Sequence, residues 1–199
     1  MTVALLAEQE EHIFNVLRSD RFLKMEGLAN ELPFFIYPYA PEYAIEVSEA
    51  IKRIKNKLTE SGISVTEINL FDLALDIFEA SGDLEEILDI EPSLPKRDFK
   101  EMLKAILSPQ DCLAPEIARR LENDESNIVF LTGVGEVFPF IRSHNVLNNL
   151  QSVIPNKPLL MFFPGRYQQS DSLGSSLVLF DRMYDDRYYR AKDIRDQEV

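Results

Sequence analysis

IVFLTGVGEVFPFIRSHNVLNNLQSVIPNKPLLMFFPGRY, residues 128–167, contains two short runs of uninterrupted apolar residues. These runs, 128–131 and 159–163, each have the length of a strand, and each is followed by a turn marked by Gly or Pro. Strands that are apolar on both faces are typical of a parallel sheet covered by helices on both sides. The two runs therefore predict buried strands in a three-layer α/β domain.

Polar residues gather where these two strands are predicted to end. Thr132, Gly133 and Glu136 follow the first strand, and Arg166 and Tyr167 follow the second. In an open α/β sheet, ligands and partners bind in the crevice outside the carboxyl ends of the strands. Glu136, Arg166 and Tyr167 are therefore candidate partner-binding residues.

The rest of the chain alternates strands and helices until a helical region interrupts the pattern. Hydrophobic periodicity predicts three further strands and four helical stripes without an intervening strand. The strands lie at 34–37, 63–70 and 175–180, and the stripes fall within 71–122. We expect one α/β domain over residues 1–199, with a mainly parallel sheet of about five strands. A helical insertion at 71–125 should pack to one side, a polar loop should span 166–175, and 181–199 should form a charged, Tyr-rich tail.

Charge and composition limit the classes of function. The net charge is −13, and residues 67–91 contain nine acids without a Lys or Arg. This field repels a phosphate backbone, so we expect no direct nucleic-acid binding. The acids are consistent either with a solvated helix face or with a docking surface for a basic partner. A single cysteine, no signal-peptide pattern and no membrane-length apolar run predict a cytoplasmic protein that does not enter a membrane.

Motifs for cofactor or metal chemistry are weak in this sequence. None of the seven glycines begins a GxxxxGK[ST] phosphate loop. Gly133 and Gly135 form a lone GxG with Phe138 at the third position, which favours a tight turn over a dinucleotide site. The two histidines lack a second metal ligand at helical spacing, and Ser143 beside His144 does not form a catalytic pair. We therefore expect no catalytic residue, no cofactor and no metal.

Two further groups of side chains are candidates for partner binding. The first group follows the apolar strand and comprises Arg142, His144, Asn145 and Asn148. Its members either cap a helix and fix adjacent turns or recognise a partner, and the sequence leaves both alternatives open. The second group lies in the tail, where aromatic residues and Arg are typical interface anchors. It comprises Tyr184, Tyr188, Tyr189 and Arg190.

The chain resembles the BrxB family of bacterial BREX (bacteriophage exclusion) defence systems. The resemblance is carried mainly by VFLTGVGEVFPFIRSH and NVLNNLQ within 129–151 and by PLLMFFPGRY at 158–167. It implies a degenerate P-loop-NTPase-like domain that lacks the Walker A loop. It also implies a small cytoplasmic component without catalytic activity of its own. The implied partners are a PglZ-type phosphatase-like protein, an adenine-specific DNA methyltransferase and a large ATPase.

Two functions from different classes remain after these observations. The first is a non-catalytic adapter that binds other BREX proteins, with the PglZ-type protein as the preferred partner. The alternative is a nucleotide-binding or hydrolysing enzyme with a non-standard site at the carboxyl ends of the strands. A nuclease or nucleic-acid modifier is disfavoured by the acidic charge and by the missing metal ligands.

Overall fold

The fold is a central parallel sheet with helices on both faces. A computed structural model describes residues 3–26, 33–154, 157–170, 174–185 and 191–199. Within these ranges, five strands form the parallel sheet: β1 (Phe34–Tyr39), β2 (Val65–Asn69), β3 (Ile128–Thr132), β4 (Leu159–Ser170) and β7 (Lys192–Asp193). Their order across the sheet is β2–β3–β4–β1–β7. The prediction of a mainly parallel α/β sheet is confirmed.

The central strands β1, β3 and β4 bury both of their faces. Phe130 and Leu160 belong to one hydrophobic cluster, whereas their neighbours Leu131 and Met161 belong to the other. All four residues have 0% exposure. The uninterrupted apolar runs therefore reflect a sheet whose side chains alternate between two cores.

The helices divide between these two cores. One face is covered by α1 (Val3–Leu17), α2 (Asp20–Leu23) and α3 (Ala44–Glu60). The other face is covered by α4 (Leu70–Ser81), α5 (Leu84–Ile90), α6 (Lys96–Ile106), α7 (Ala114–Leu121) and α8 (Ser143–Leu150). The helices between β2 and β3 thus lie on one side of the sheet, as the four helical stripes predicted.

The predicted polar loop at 166–175 is wrong in its described part. Strand β4 continues to Ser170 and pairs in antiparallel fashion with β5 (Gly174–Leu179), which also pairs with β6 (Met183–Asp185). Gly165 makes this continuation possible, because its φ is +153° and a β-carbon there would overlap the carbonyl oxygen of Val178. The strand predicted at 175–180 exists, but it extends a hairpin and does not join the parallel sheet.

Residues 191–199, at the end of the chain, pack as part of the fold. Strand β7 pairs with β1, and Asp193 and Ile194 are buried. The Asp193 carboxylate forms an ion pair with Arg195, which compensates for its burial. No described helix has both the length and the apolar character that a bilayer crossing requires.

Candidate functional site

A crevice of about 140 Å³ lies at the carboxyl ends of β1, β2 and β3, beside the beginning of α3. This is the position in an open α/β sheet where ligands commonly bind. Its polar lining includes Tyr39, Lys52, Glu67, Thr132 and Glu136. Of the residues predicted at this edge, Glu136 therefore lies in the crevice.

Glu67 links three elements at the floor of the crevice. The Thr132 hydroxyl donates a hydrogen bond to Oε1 of Glu67 at 2.9 Å, which joins the ends of β2 and β3. Lys55 of α3 donates to Oε2 at 2.6 Å. Both carboxylate oxygens thus have a partner within the protein, as expected for a structural carboxylate.

Asn69 and Gly133 lie in contact at the edge of the crevice, next to this link. The Asn69 side-chain oxygen caps α4 by accepting hydrogen bonds from the backbone N–H groups of Phe71, at 2.8 Å, and Asp72, at 3.3 Å. Gly133 has a φ of +71°, and a β-carbon there would overlap the same Asn69 oxygen. The GxG pair is therefore a tight turn packed against a helix cap, and the interpretation of Gly133 as a positive-φ residue is confirmed.

The loop between β1 and α3 lacks the features of a phosphate cradle. The connection after β1 is Ala40 followed by a 3-10 turn, Pro41–Tyr43, and it contains no glycine. Glu42 lies in this turn, and Glu46 lies in the first turn of α3. Carboxylates at a helix N-terminus stabilise the helix dipole but repel an incoming phosphate. That the domain is a degenerate P-loop-NTPase-like domain stays a prediction, which rests on the family resemblance.

Tyr39 is held as a neutral phenol at the wall of the crevice. Burial raises its pKa to about 12, and the nearby charges of Glu136 and Tyr37 act in the same direction. A phenol with this pKa donates or accepts a hydrogen bond but does not serve as a base near neutral pH.

The predicted group around α8 has one buried, one partly buried and two exposed members. His144 is 6% exposed and packs with the core, and the Asn145 carbonyl accepts a hydrogen bond from the Asn149 amide at 2.7 Å. Arg142 and Asn148 are exposed. The Arg142 guanidinium lies 5.5 Å from the centre of the Phe138 ring. Partner binding by all four predicted residues stays a prediction, and the exposed pair is the better placed.

Arg166, Tyr167 and Tyr184 do not line the crevice. Arg166 forms an ion pair with Asp181 at 2.9 Å, and the Tyr167 hydroxyl donates to the carbonyl of Ala191 at 2.5 Å. Tyr184 of β6 is 64% exposed. Tyr188, Tyr189 and Arg190 fall outside the described residues.

The described part of the chain contains neither a metal-binding cluster nor a reactive thiol. It brings no group of three or more His, Cys, Asp or Glu side chains into metal-binding proximity. Burial raises the pKa of the Cys112 thiol, and the charge of Glu116 adds to the effect. A raised pKa keeps this thiol protonated and unreactive.

Sequence reasoning missed a second concave surface. A groove of about 620 Å³ is formed where Leu94 and Phe99 approach Pro139 and Phe140. The groove was not predicted, because it depends on packing between segments about 40 residues apart. The change from an acidic run to the adjacent cations Lys96 and Arg97 is the one sequence signal that points to this region.

These features define the class: a three-layer α/β domain in which Glu67, Thr132 and Asn69 of the strand-end crevice form internal hydrogen bonds. Comparison with known proteins gives the family. The family model "BREX protein BrxB" matches residues 66–194. A BREX protein BrxB of Bacillus cereus is 37% identical over 197 residues, covering 96% of this chain and 97% of that protein. One of Escherichia coli is 31% identical over 175 residues, covering 88% and 84%.

The chain belongs to the BrxB family of BREX proteins. The resemblance identified from the motifs is thereby confirmed. No solved structure matches the chain.

Proposed function

We propose that this protein is a non-catalytic component of BREX antiphage defence and acts as an adapter for other proteins of the system. Membership of the BrxB family supports the role in BREX defence. The adapter role and the choice of a PglZ-type protein as the first partner are the finer parts of the proposal. The adapter role rests on the character of the strand-end crevice and of the exposed surface, and the choice of a PglZ-type protein rests on what the family resemblance implies.

The observation that carries the proposal is the internal use of the crevice's polar groups. Glu67 is bonded through both oxygens, Asn69 caps α4, and Tyr39 is held neutral. A catalytic site needs a base or nucleophile that is available to substrate at the reacting position. Glu67 and Asn69 instead hold β2, β3 and the adjacent helices together, and Tyr39 keeps its proton.

The acids at the start of α3 weigh against the nucleotide-binding alternative. Glu42 and Glu46 are both exposed beside the crevice. A nucleotide phosphate placed there would meet two negative charges where phosphate-binding proteins present backbone N–H groups.

An exposed aromatic side chain supports protein binding. Tyr184 of β6 is 64% exposed. Large apolar groups on the surface are enriched at interfaces, where a few of them supply most of the binding energy.

The proposal is tested by isothermal titration of the purified chain against each BREX protein of its own operon. We expect saturable binding to the PglZ-type protein and no turnover of ATP or GTP by the chain alone. The adapter role is wrong if none of the system's proteins binds. A hydrolytic activity that survives purification to homogeneity would support the enzyme instead.

A further inference from the structure

The second concave surface has an apolar floor and a charged rim. Leu94, Phe99, Pro139 and Phe140 supply the floor, and Lys96 and Lys100 stand on the rim. The floor residues are only partly buried, so the groove presents accessible apolar surface. At about 620 Å³, it has room for large side chains from another protein.

The exposed side chain of Leu88 forms an apolar knob one helical turn from this groove. Helix α5 ends at Ile90 and continues into a 3-10 turn, Glu91–Ser93. Leu88 therefore lies on the same side as Glu91 and Pro92, which are three and four residues further on and line the groove. Leu88 is 57% exposed, whereas Ile87 beside it is buried in the core. The knob and the groove form one continuous surface.

The side of the surface that carries the knob is acidic, and the groove side is mainly basic, with Glu91 as the one acid among the described residues that line the groove. The knob is flanked by the exposed acids Glu85 and Asp89, and the groove by Lys96 and Arg97. The ion pairs of α6 join Lys100 and Lys104 to Glu101, which leaves Lys96 and Arg97 without a carboxylate partner among the described residues. Both cations occupy the start of α6, where positive charge opposes the helix dipole, and Asp98 follows them in the same turn. Their placement does not stabilise the helix and suits an acidic partner.

We propose that this surface is a twofold interface between two copies of the chain. Leu88 of each copy would enter the groove of the other, and Glu85 and Asp89 would face Lys96 and Arg97 of the second copy. A twofold interface requires one patch that complements itself, with a knob and a hole that exchange between subunits. This chain provides a knob and a groove of opposite charge side by side. The interface is independent of the adapter role, because it uses neither the strand-end crevice nor Tyr184.

Sedimentation velocity of the full chain tests the proposal. We expect a dimer at micromolar concentration and about 0.15 M salt, and a Leu88→Asp variant whose dimer dissociation constant is at least about tenfold higher. Ile45→Asp is the matched control, because Ile45 is 79% exposed on α3 and lies on the opposite face of the sheet. The control should remain dimeric. A wild-type chain that stays monomeric up to solubility-limited concentrations, or an unaffected Leu88→Asp dimer, overturns the interface.

A charge exchange separates self-association from docking of a different protein. Variant one carries Lys96→Glu and Arg97→Glu, and variant two carries Glu85→Lys and Asp89→Lys. Each variant alone would bring like charges together and should be monomeric, with an unchanged circular dichroism spectrum. In a heterodimer of the two, Glu85 and Asp89 of variant one face Lys96 and Arg97 of variant two. The introduced lysines of variant two face the introduced glutamates of variant one. Both contacts are then attractive, and mixing should produce a heterodimer. If the mixture stays monomeric while both variants are folded, the groove does not receive the knob of a second copy.

Discussion

Asn69 and Gly133 lie in contact at the ends of β2 and β3, where the Asn69 amide oxygen occupies the place of a β-carbon on residue 133. The same oxygen caps α4. One contact therefore fixes the end of the sheet, the beginning of the helical layer and the edge of the crevice. Gly133 serves close packing here, not the approach of a phosphate.

Gly133→Ala should lower the free energy of unfolding by about 2 to 3 kcal/mol, because it adds a steric overlap to an unfavourable φ. Gly62→Ala is the matched control, since Gly62 has a φ of +78° but no atom within 4 Å of the place that a β-carbon would take. It should cost only about 1 kcal/mol. Urea denaturation measures both variants, and equal losses would show that the Asn69 contact is unimportant.

Asp124 should make stability depend on pH in acid. Burial would raise its pKa, but hydrogen bonds from Ser126, Lys157 and Thr66 outweigh this and hold the pKa at about 2, against an ordinary 3.8. A carboxyl whose folded pKa is lowered stabilises the protein above its unfolded pKa, and this contribution is lost as the pH falls from about 4 to 2. At neutral pH the contribution is about 2 kcal/mol.

Asp124→Asn should therefore unfold more easily at pH 7 and show a weaker loss of stability between pH 4 and 2 than the wild type. Glu116 provides the matched control, because hydrogen bonds from Arg119 and Arg120 also hold its pKa at about 2. Glu116→Gln should leave the Asp124 contribution in place. Parallel pH profiles for the wild type and Asp124→Asn would contradict the assignment.

Tyr167→Phe should destabilise the protein by about 1 kcal/mol. The substitution removes the hydroxyl that donates to the Ala191 carbonyl and connects the β4–β5 hairpin to the end of the chain. Tyr184→Phe is the matched control and should be neutral, because Tyr184 is 64% exposed. Thermal unfolding compares the two. A neutral Tyr167→Phe would show that this hydrogen bond does not hold the hairpin in place.

Magnesium ATP at millimolar concentration should not change the melting temperature of the chain. A ligand at about 100 times its dissociation constant adds about 2.7 kcal/mol of stability, so affinity near about 10 μM would be visible as a rise of several degrees. The acids Glu42 and Glu46 and the glycine-free loop after β1 are the physical reasons for expecting none. A dose-dependent rise with ATP or GTP would favour the nucleotide-binding alternative.

The buried centre of the fold could be predicted from sequence because its signal is local. The apolar runs that form β3 and the first part of β4 need no knowledge of their neighbours. The extension of β4 depends on pairing with β5, and β7 is only two residues long, so neither leaves a local pattern. The burial of Ile194 beside β1 was also not predicted, because the residues around it in the sequence are charged.

The sequence predicts where the candidate site lies but only some of the residues that line it. Glu136 follows β3 directly and lies in the crevice, as expected for the carboxyl end of a parallel strand. Arg166 and Tyr167 follow the second apolar run, but β4 carries them past the parallel sheet into the hairpin. The groove beside Phe99 and Phe140 has no sequence pattern of its own, because tertiary packing creates it.

The adapter role is tested most directly by titration calorimetry of the chain with the PglZ-type protein of its own operon. We expect a saturable complex that Tyr184→Ala weakens by about 2 kcal/mol, while Ile45→Ala, which alters another exposed apolar side chain, leaves the affinity within about 0.5 kcal/mol. Melting temperatures of both variants should equal that of the wild type. Absence of heat and of co-purification with every BREX protein of the operon would contradict the adapter role.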